Sequence, residues 1–302
     1  MPGANFRSED IPDLSGQVII VTGSNAGLGL ETVRQLSQHN PARIYLAARS
    51  QEKVEAAMKQ IKESNPDAAP MSFLKLDLSS FASVRAASET FAQSNSRLDI
   101  LINNAGIMMT PEGLTEEGYE IQFGTNVMGP ALFTQLLLPI MQKTARSNPQ
   151  ARAVLLSSAS EKVAPSDAYK LEELKTTMSN RHTTARYSLS KLANVHYTTA
   201  LAERHPDVKL ISVHPGMVAT NLHHNSTGRF LKPFLNMAVN CFATPVEKGA
   251  LSQIWASVSP DAKTGGFYGP IGVVWDGSKA CRNRELQEKV FAWIQEELKP
   301  YL

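Results

Sequence analysis

The chain has 302 residues, of which 42% are apolar and 19% charged, with a formal net charge of +2. That length can bury a large core without disulfides or metals, and the mixed, nearly neutral charge excludes a nucleic-acid-binding stripe. Cys241 and Cys281 lack C-x-x-C spacing and read as packed thiols of a reducing compartment, so a cytoplasmic location is expected.

In chain order, residues 1–16 are polar and carry no signal-peptide core. Residues 17–22 (QVIIVT) form a β-branched run, as expected of a strand buried on both faces. A glycine-rich loop and a helix over 28–39 follow, stopped by Asn40-Pro41. Strands are expected at 43–48, 71–76, 99–103, 151–157 and 209–214, with a further candidate at 267–274. Helices are expected at 51–63, 79–93, 119–143 with a kink at Pro139, and 187–205. Residues 132–141 are the most apolar stretch, but too short to span a membrane, and read as a buried or interfacial helix.

This alternation predicts an α/β fold in one domain over residues 1–302: a doubly wound parallel sheet of about seven strands with helices on both faces. Two regions decorate it. Residues 161–186 are a polar insertion. Residues 218–245 carry Phe230, Leu231, Phe234, Leu235, Met237 and Phe242 and read as a lid over the substrate, with core packing or a membrane-touching patch as alternatives.

Gly23, Gly27 and Gly29 lie between a strand and a helix, where glycine lets the backbone approach a pyrophosphate resting on the helix N-terminus. At the end of the second strand, an NAD site places an acid about 20 positions after the loop to take the ribose 2′-hydroxyl. Here that place holds Arg49, with Lys53 one turn on. Arginine matches a 2′-phosphate bidentately, so NADP(H) is expected. Tyr187 and Lys191 lie four apart on one helix face. A cation beside a phenol favours the phenolate, so the tyrosine pKa is expected to fall from about 10 towards neutrality. None of the seven histidines has metal-ligand spacing, and no metal site is expected.

The segment 22–29, Asn103-Asn104-Ala105-Gly106, Ser158, Tyr187-x-x-x-Lys191 and Pro215-Gly216 together resemble the short-chain dehydrogenase/reductase family, in the family's order. Leu-Ala-Ala-Arg at 46–49, Leu-Asp-Leu-Ser-Ser at 76–80 and Ser-Lys-Leu-Ala-Asn at 190–194 are similar to its retinol-dehydrogenase-like and fungal biosynthetic branch. The resemblance implies a Rossmann fold and these roles. Tyr187 is the general acid or base, Lys191 tunes it and holds the nicotinamide ribose, Ser158 polarises the carbonyl, and Asn126 anchors a water in the proton relay. Ser24, Asn25 and Leu28 belong to the loop that receives the cofactor. Asp77 and Leu78 are expected at the adenine, with Asn103, Asn104, Ala105 and Gly106 in the adenosine wall or bracing the sheet. Pro215, Gly216, Val218 and Thr220 are expected at the nicotinamide.

The implied activity is an NADPH-dependent ketoreductase-type oxidoreductase for a hydrophobic carbonyl or alcohol substrate in biosynthetic (secondary) metabolism, as a homodimer or homotetramer. Oxidation in the reverse sense, an isomerase or cyclase at the same site, and a non-catalytic dinucleotide sensor remain the alternatives. Ser158 and Tyr187 stand 29 positions apart, longer than in compact members of the family, so the 161–186 insertion must loop out for them to meet. It is expected either to build a substrate rim or to be a solvated surface excursion.

Overall fold

In the computed structural model, residues 5–218 and 244–302 are described. The β-branched run folds as β1 (Val18–Thr22), with every side chain buried. β2 (Arg43–Ala48), β3 (Met71–Lys75), β4 (Ile100–Asn103), β5 (Arg152–Leu156), β6 (Lys209–Val213), β7 (Phe267–Gly269) and β8 (Val273–Val274) join it in one sheet. The order is β3-β2-β1-β4-β5-β6-β7-β8, giving eight strands. Seven run parallel and β8 returns antiparallel to β7, with Tyr268 opposite Val274. The expected single strand over 267–274 is therefore a hairpin, turned at Ile271 (φ 51°) and Gly272 (φ 72°).

Helices cover both faces. α1 (Gly27–Leu36) and α2 (Gln51–Ser64) lie on one. α3 (Phe81–Ser94) lies on the other. The long helical stretch begins with one turn, α4 (Ile121–Phe123), continues as a π-helical segment (Gly124–Met128), and becomes α5 (Gly129–Ala145), which runs through Pro139. Its apolar residues Leu132, Phe133, Leu137 and Met141 are fully buried, which makes it a core helix. α6 (Thr183–Arg204) starts a turn earlier than the sequence suggests, capped by His182.

Two helices escaped the sequence reading. α7 (Val246–Val258) packs on the face of α1, and α8 (Arg284–Leu298) on the face of α6. No helix among the described residues is long and apolar enough to cross a membrane.

The 161–186 insertion is not a solvated excursion. Tyr169 is fully buried despite a positive φ of 62°, and Leu174 and Met178 join the same core. Tyr169 Oη meets His196 Nδ1 at 2.9 Å, and the imidazole Nε2 faces the carbonyls of Ala280 and Cys281 at 3.0 and 3.1 Å. Glu161, also fully buried, accepts from the Ser278 hydroxyl at 2.7 Å. The polar sequence hides a few apolar anchors and buried hydrogen bonds that tie it to α6 and to the segment before α8. The 218–245 region lies outside the described residues except for Val218, Thr244 and Pro245.

Candidate active site

A cleft of about 590 Å³ opens at the carboxyl ends of β1, β2, β4, β5 and β6, where an open parallel sheet reverses its winding. Its floor begins in the glycine loop. Gly23 takes a left-handed conformation (φ 64°). A Cβ on Gly29 would lie 2.5 Å from the Gly23 carbonyl oxygen and 2.6 Å from Asn104 Nδ2, so the loop and helix can touch only without a side chain. α1 has no side-chain N-cap and no acid in its first turn. The uncapped N–H groups of that turn suit an anion. Ser24 Oγ is buried and has no hydrogen-bond partner among the described residues. These features fit a pyrophosphate.

Most residues singled out in the sequence meet in this cleft. Asn25, Gly27, Leu28, Arg49, Asp77 and Leu78 line one half. Asn104, Ala105, Gly106, Tyr187, Lys191 and Pro215 line the other. Arg49 is exposed at the rim, and no acid stands in its place. Asp77 Oδ1 accepts from the Ser79 hydroxyl at 2.6 Å and from its N–H at 2.9 Å.

Some expected residues lie elsewhere. Asn103 is buried behind the wall, its Nδ2 donating to Thr134 Oγ1 at 2.9 Å, because alternate residues of a strand face opposite sides. Lys53 is exposed on α2 and does not line the cleft. Val218 is buried, with its methyls on the backbone of Gly249. Gly216 donates its N–H to His214 Nδ1 at 3.1 Å. Thr220 lies outside the described residues.

Tyr187 and Lys191 line the cleft together with Ser157, while Ser158 lies next to the Tyr187 phenol without lining the cleft itself. The Ser158 hydroxyl stands near enough to the buried Tyr187 phenol to draw its pKa down. It also caps the turn Ala159–Val163, accepting from Ser160 N at 3.2 Å. The neighbouring Ser157, which lines the cleft, donates its hydroxyl to the Lys191 carbonyl at 2.7 Å.

The electrostatics differ from expectation. Burial pushes the Tyr187 phenol up to about 12, with the neighbouring Ser158 hydroxyl pulling the other way. Burial also pushes Lys191 down to about 8. Removing either charge from water costs more than the neighbour returns.

Asn126 sits in the π-helical segment, the kind of helical defect found at functional sites. Its Oδ1 accepts from Ile107 N at 2.8 Å. Its Nδ2 donates to Ile107 O at 2.9 Å and to Ser190 Oγ at 3.0 Å. Ser190 in turn donates to the Tyr187 carbonyl at 2.7 Å. A buried ion pair, Arg186 Nη1 to Glu120 Oε1 at 2.8 Å, clamps the start of this helix to the start of α6. Gln122 adds hydrogen bonds to Met109 N at 2.7 Å and to Thr183 O at 3.1 Å.

Thr110, Ile121 and Thr125 also line the cleft and were not singled out in the sequence. Thr125, adjacent to Asn126, had a usable signal; Thr110 had none. Met108 lines the cleft and is nearly buried, so it serves both wall and core. Burial pushes the Cys281 thiol up to about 12, which makes it an inert packed group.

The family model for short chain dehydrogenase matches residues 17–169. A short-chain dehydrogenase/reductase of Armillaria gallica is 38% identical, covering 99% of this chain and 96% of that protein. Mouse retinol dehydrogenase 12 is 34% identical, covering 92% of this chain and 85% of its own length. A solved structure from Mycobacterium paratuberculosis, 28% identical, matches with a TM-score of 0.75 over 97% of both chains. Through that family match, near-full-length relatives and a dinucleotide cleft at the carboxyl edge of its sheet, the chain belongs to the short-chain dehydrogenase/reductase family of oxidoreductases, which bind a nicotinamide dinucleotide.

Proposed function

We propose that the protein is an NADP(H)-dependent oxidoreductase acting between a carbonyl and an alcohol on a hydrophobic substrate. The observation that carries this reading is the Tyr187 phenol beside the Lys191 ammonium in the wall of the dinucleotide cleft, with the Ser158 side chain next to the phenol. When bound, the dinucleotide supplies or accepts the hydride.

The chain's own groups handle charge and proton. In reduction, negative charge grows on the carbonyl oxygen, and Ser158 and Tyr187 present two donors to it. Tyr187 then gives up its phenolic proton. The Lys191 ammonium offsets the phenolate that remains. Asn126 holds Ile107 and Ser190, and through Ser190 the backbone of Tyr187, so it keeps α6 in register with the cleft wall. A phenol held near 12 carries its proton at neutral pH and so is ready to act as the acid in reduction.

Arg49 at the rim supports NADP(H) over NAD(H), since a guanidinium pairs with a 2′-phosphate and an acid would repel it. The apolar cleft wall of Ile107, Met108 and Ile121 supports a hydrophobic substrate. So does the relative whose name gives retinol as its substrate. The fungal relatives support a place in biosynthetic, secondary metabolism.

Fluorescence titration of NADPH and NADH into wild type and Arg49→Ala tests the cofactor. NADPH is expected to bind tighter in wild type and to lose about one to two decades of affinity in the variant. Equal affinities in wild type would overturn the preference. Tyr187→Phe, assayed with NADPH and a panel of bulky apolar ketones, tests the chemistry. Retention of most wild-type turnover would place the proton donor elsewhere.

A further inference from the structure

Gln253 lies on α7, fully buried and outside the lining of the cleft. Its amide nitrogen donates twice: to Thr32 Oγ1 on α1 at 2.6 Å and to Asn104 Oδ1 after β4 at 3.2 Å. Thr32 has already committed its own proton to the Leu28 carbonyl at 2.7 Å, so towards Gln253 it can only accept. With its oxygen held by Gln253, Asn104 turns Nδ2 to the Thr22 carbonyl at 2.8 Å and to the Gly23 carbonyl at 3.4 Å.

Every donor in this network is fixed by the next acceptor. The network starts outside the cleft and ends on Leu28, Asn104, Thr22 and Gly23, all of which line it. A second tie, Gln35 Nε2 to the Glu247 carbonyl at 2.9 Å, holds the first turn of α7 to α1. α7 is thus bolted to both sides of the glycine loop, the strand end and the helix start.

We propose that Gln253 is a positioning residue for the dinucleotide site. By occupying Asn104 Oδ1 it fixes the rotamer of that amide. Asn104 then holds the Thr22–Gly23 turn against α1, where the loop N–H groups receive the pyrophosphate. This inference rests on the reading that a dinucleotide occupies the cleft. Without the Gln253 donor, Asn104 Oδ1 loses its partner beneath the loop, and no other donor among the described residues reaches it. The pyrophosphate is common to both cofactors, so the effect falls on NADPH and NADH alike. That distinguishes it from the effect of Arg49.

The test is a double-mutant cycle read by fluorescence titration of NADPH and of NADH: wild type, Gln253→Met, Asn104→Ala and the double variant. Gln253→Met is expected to weaken both dinucleotides by a similar factor, about three- to tenfold. In the Asn104→Ala background the same substitution is expected to change affinity by less than about twofold, because the relay is already cut. Wild-type affinity in Gln253→Met would reduce Gln253 to a packing role and overturn the proposal. So would an undiminished effect in the Asn104→Ala background, or a loss confined to NADPH. Wild-type protein that binds neither dinucleotide would sink the functional reading as well, which separates the two failures. Thermal melting accompanies each titration. Should Gln253→Met not fold, Gln253→Asn, one methylene too short to reach both partners, carries the same two outcomes.

Discussion

Lys191 holds its ammonium 5.7 Å from the centroid of the Tyr187 ring, yet donates its hydrogen bond to the Leu156 carbonyl at 2.9 Å. The charge lies beside the phenol, but burial governs both groups. The phenol is pushed up to about 12 and the ammonium down to about 8. The pair therefore starts as a neutral phenol next to a cation that is easily lost.

A pH dependence follows. The turnover for reduction is expected to fall as pH rises through about 8, where Lys191 loses its proton while Tyr187 keeps its own. Lys191→Met should abolish that limb along with most of the activity. A profile of kcat from pH 6 to 10 checks it; a flat profile would remove the Lys191 ammonium from the chemistry.

The adjacent serines should separate. Ser158→Ala is expected to lower kcat by about two decades with little change in melting temperature, because it removes a donor aimed at the reacting oxygen. Ser157→Ala removes a buried hydrogen bond to the Lys191 carbonyl and is expected to cost about 1 kcal/mol of stability. Parallel kinetics and melting curves decide. The reverse pattern would exchange their roles.

Gly29→Ala places a methyl 2.5 Å from the Gly23 carbonyl, a clash with backbone that no side chain can relieve. The expected outcome is a stability loss of about 1–3 kcal/mol and severe loss of dinucleotide binding. A variant that melts and binds like wild type would show that the loop is looser than its geometry implies.

Acid should unfold the protein through two buried imidazoles. Burial pushes His196 and His214 from 6.5 down to about 4. Between those values the unfolded chain binds protons that the native state refuses. Stability is therefore complete above about pH 6.5 and is lost as pH falls towards about 4, by on the order of 3 kcal/mol per group. Urea titrations at pH 7 and pH 4.5 measure the loss. His196→Gln, which cannot take up the proton, should flatten part of it.

The strands were legible because a parallel sheet buried on both faces demands continuous apolar runs, as in β1 and β5. The positions of Tyr187 and Lys191 were legible from helical spacing, but the pKa of the phenol was not. It depends on how deeply the fold buries it, which spacing does not encode. α8 could have been found: Val290, Phe291, Ile294 and Leu298 mark one buried face behind the Asn283 cap. α7 hides better, since its buried face includes Ser252 and Gln253, whose partners Ile271 and Thr32 lie outside the helix. For the same reason the sequence left the insertion open between a substrate rim and a solvated excursion: Tyr169 finds its partner on His196, a residue of another element.

The π-helical segment at Gly124–Met128 carries one more residue per loop than the α turns on either side. Ahead of it, Glu120 and Gln122 grip Arg186 and Thr183 at the start of α6; beyond it, Thr134 grips Asn103 at the end of β4. Removing or adding a single residue there would rotate one set of grips by about 100° relative to the other. The stretch from Glu120 to Thr134 thus behaves as a fixed-length ruler between two anchor points. Across descendants of this chain, substitutions can accumulate within it, but insertions and deletions should be pushed outside it.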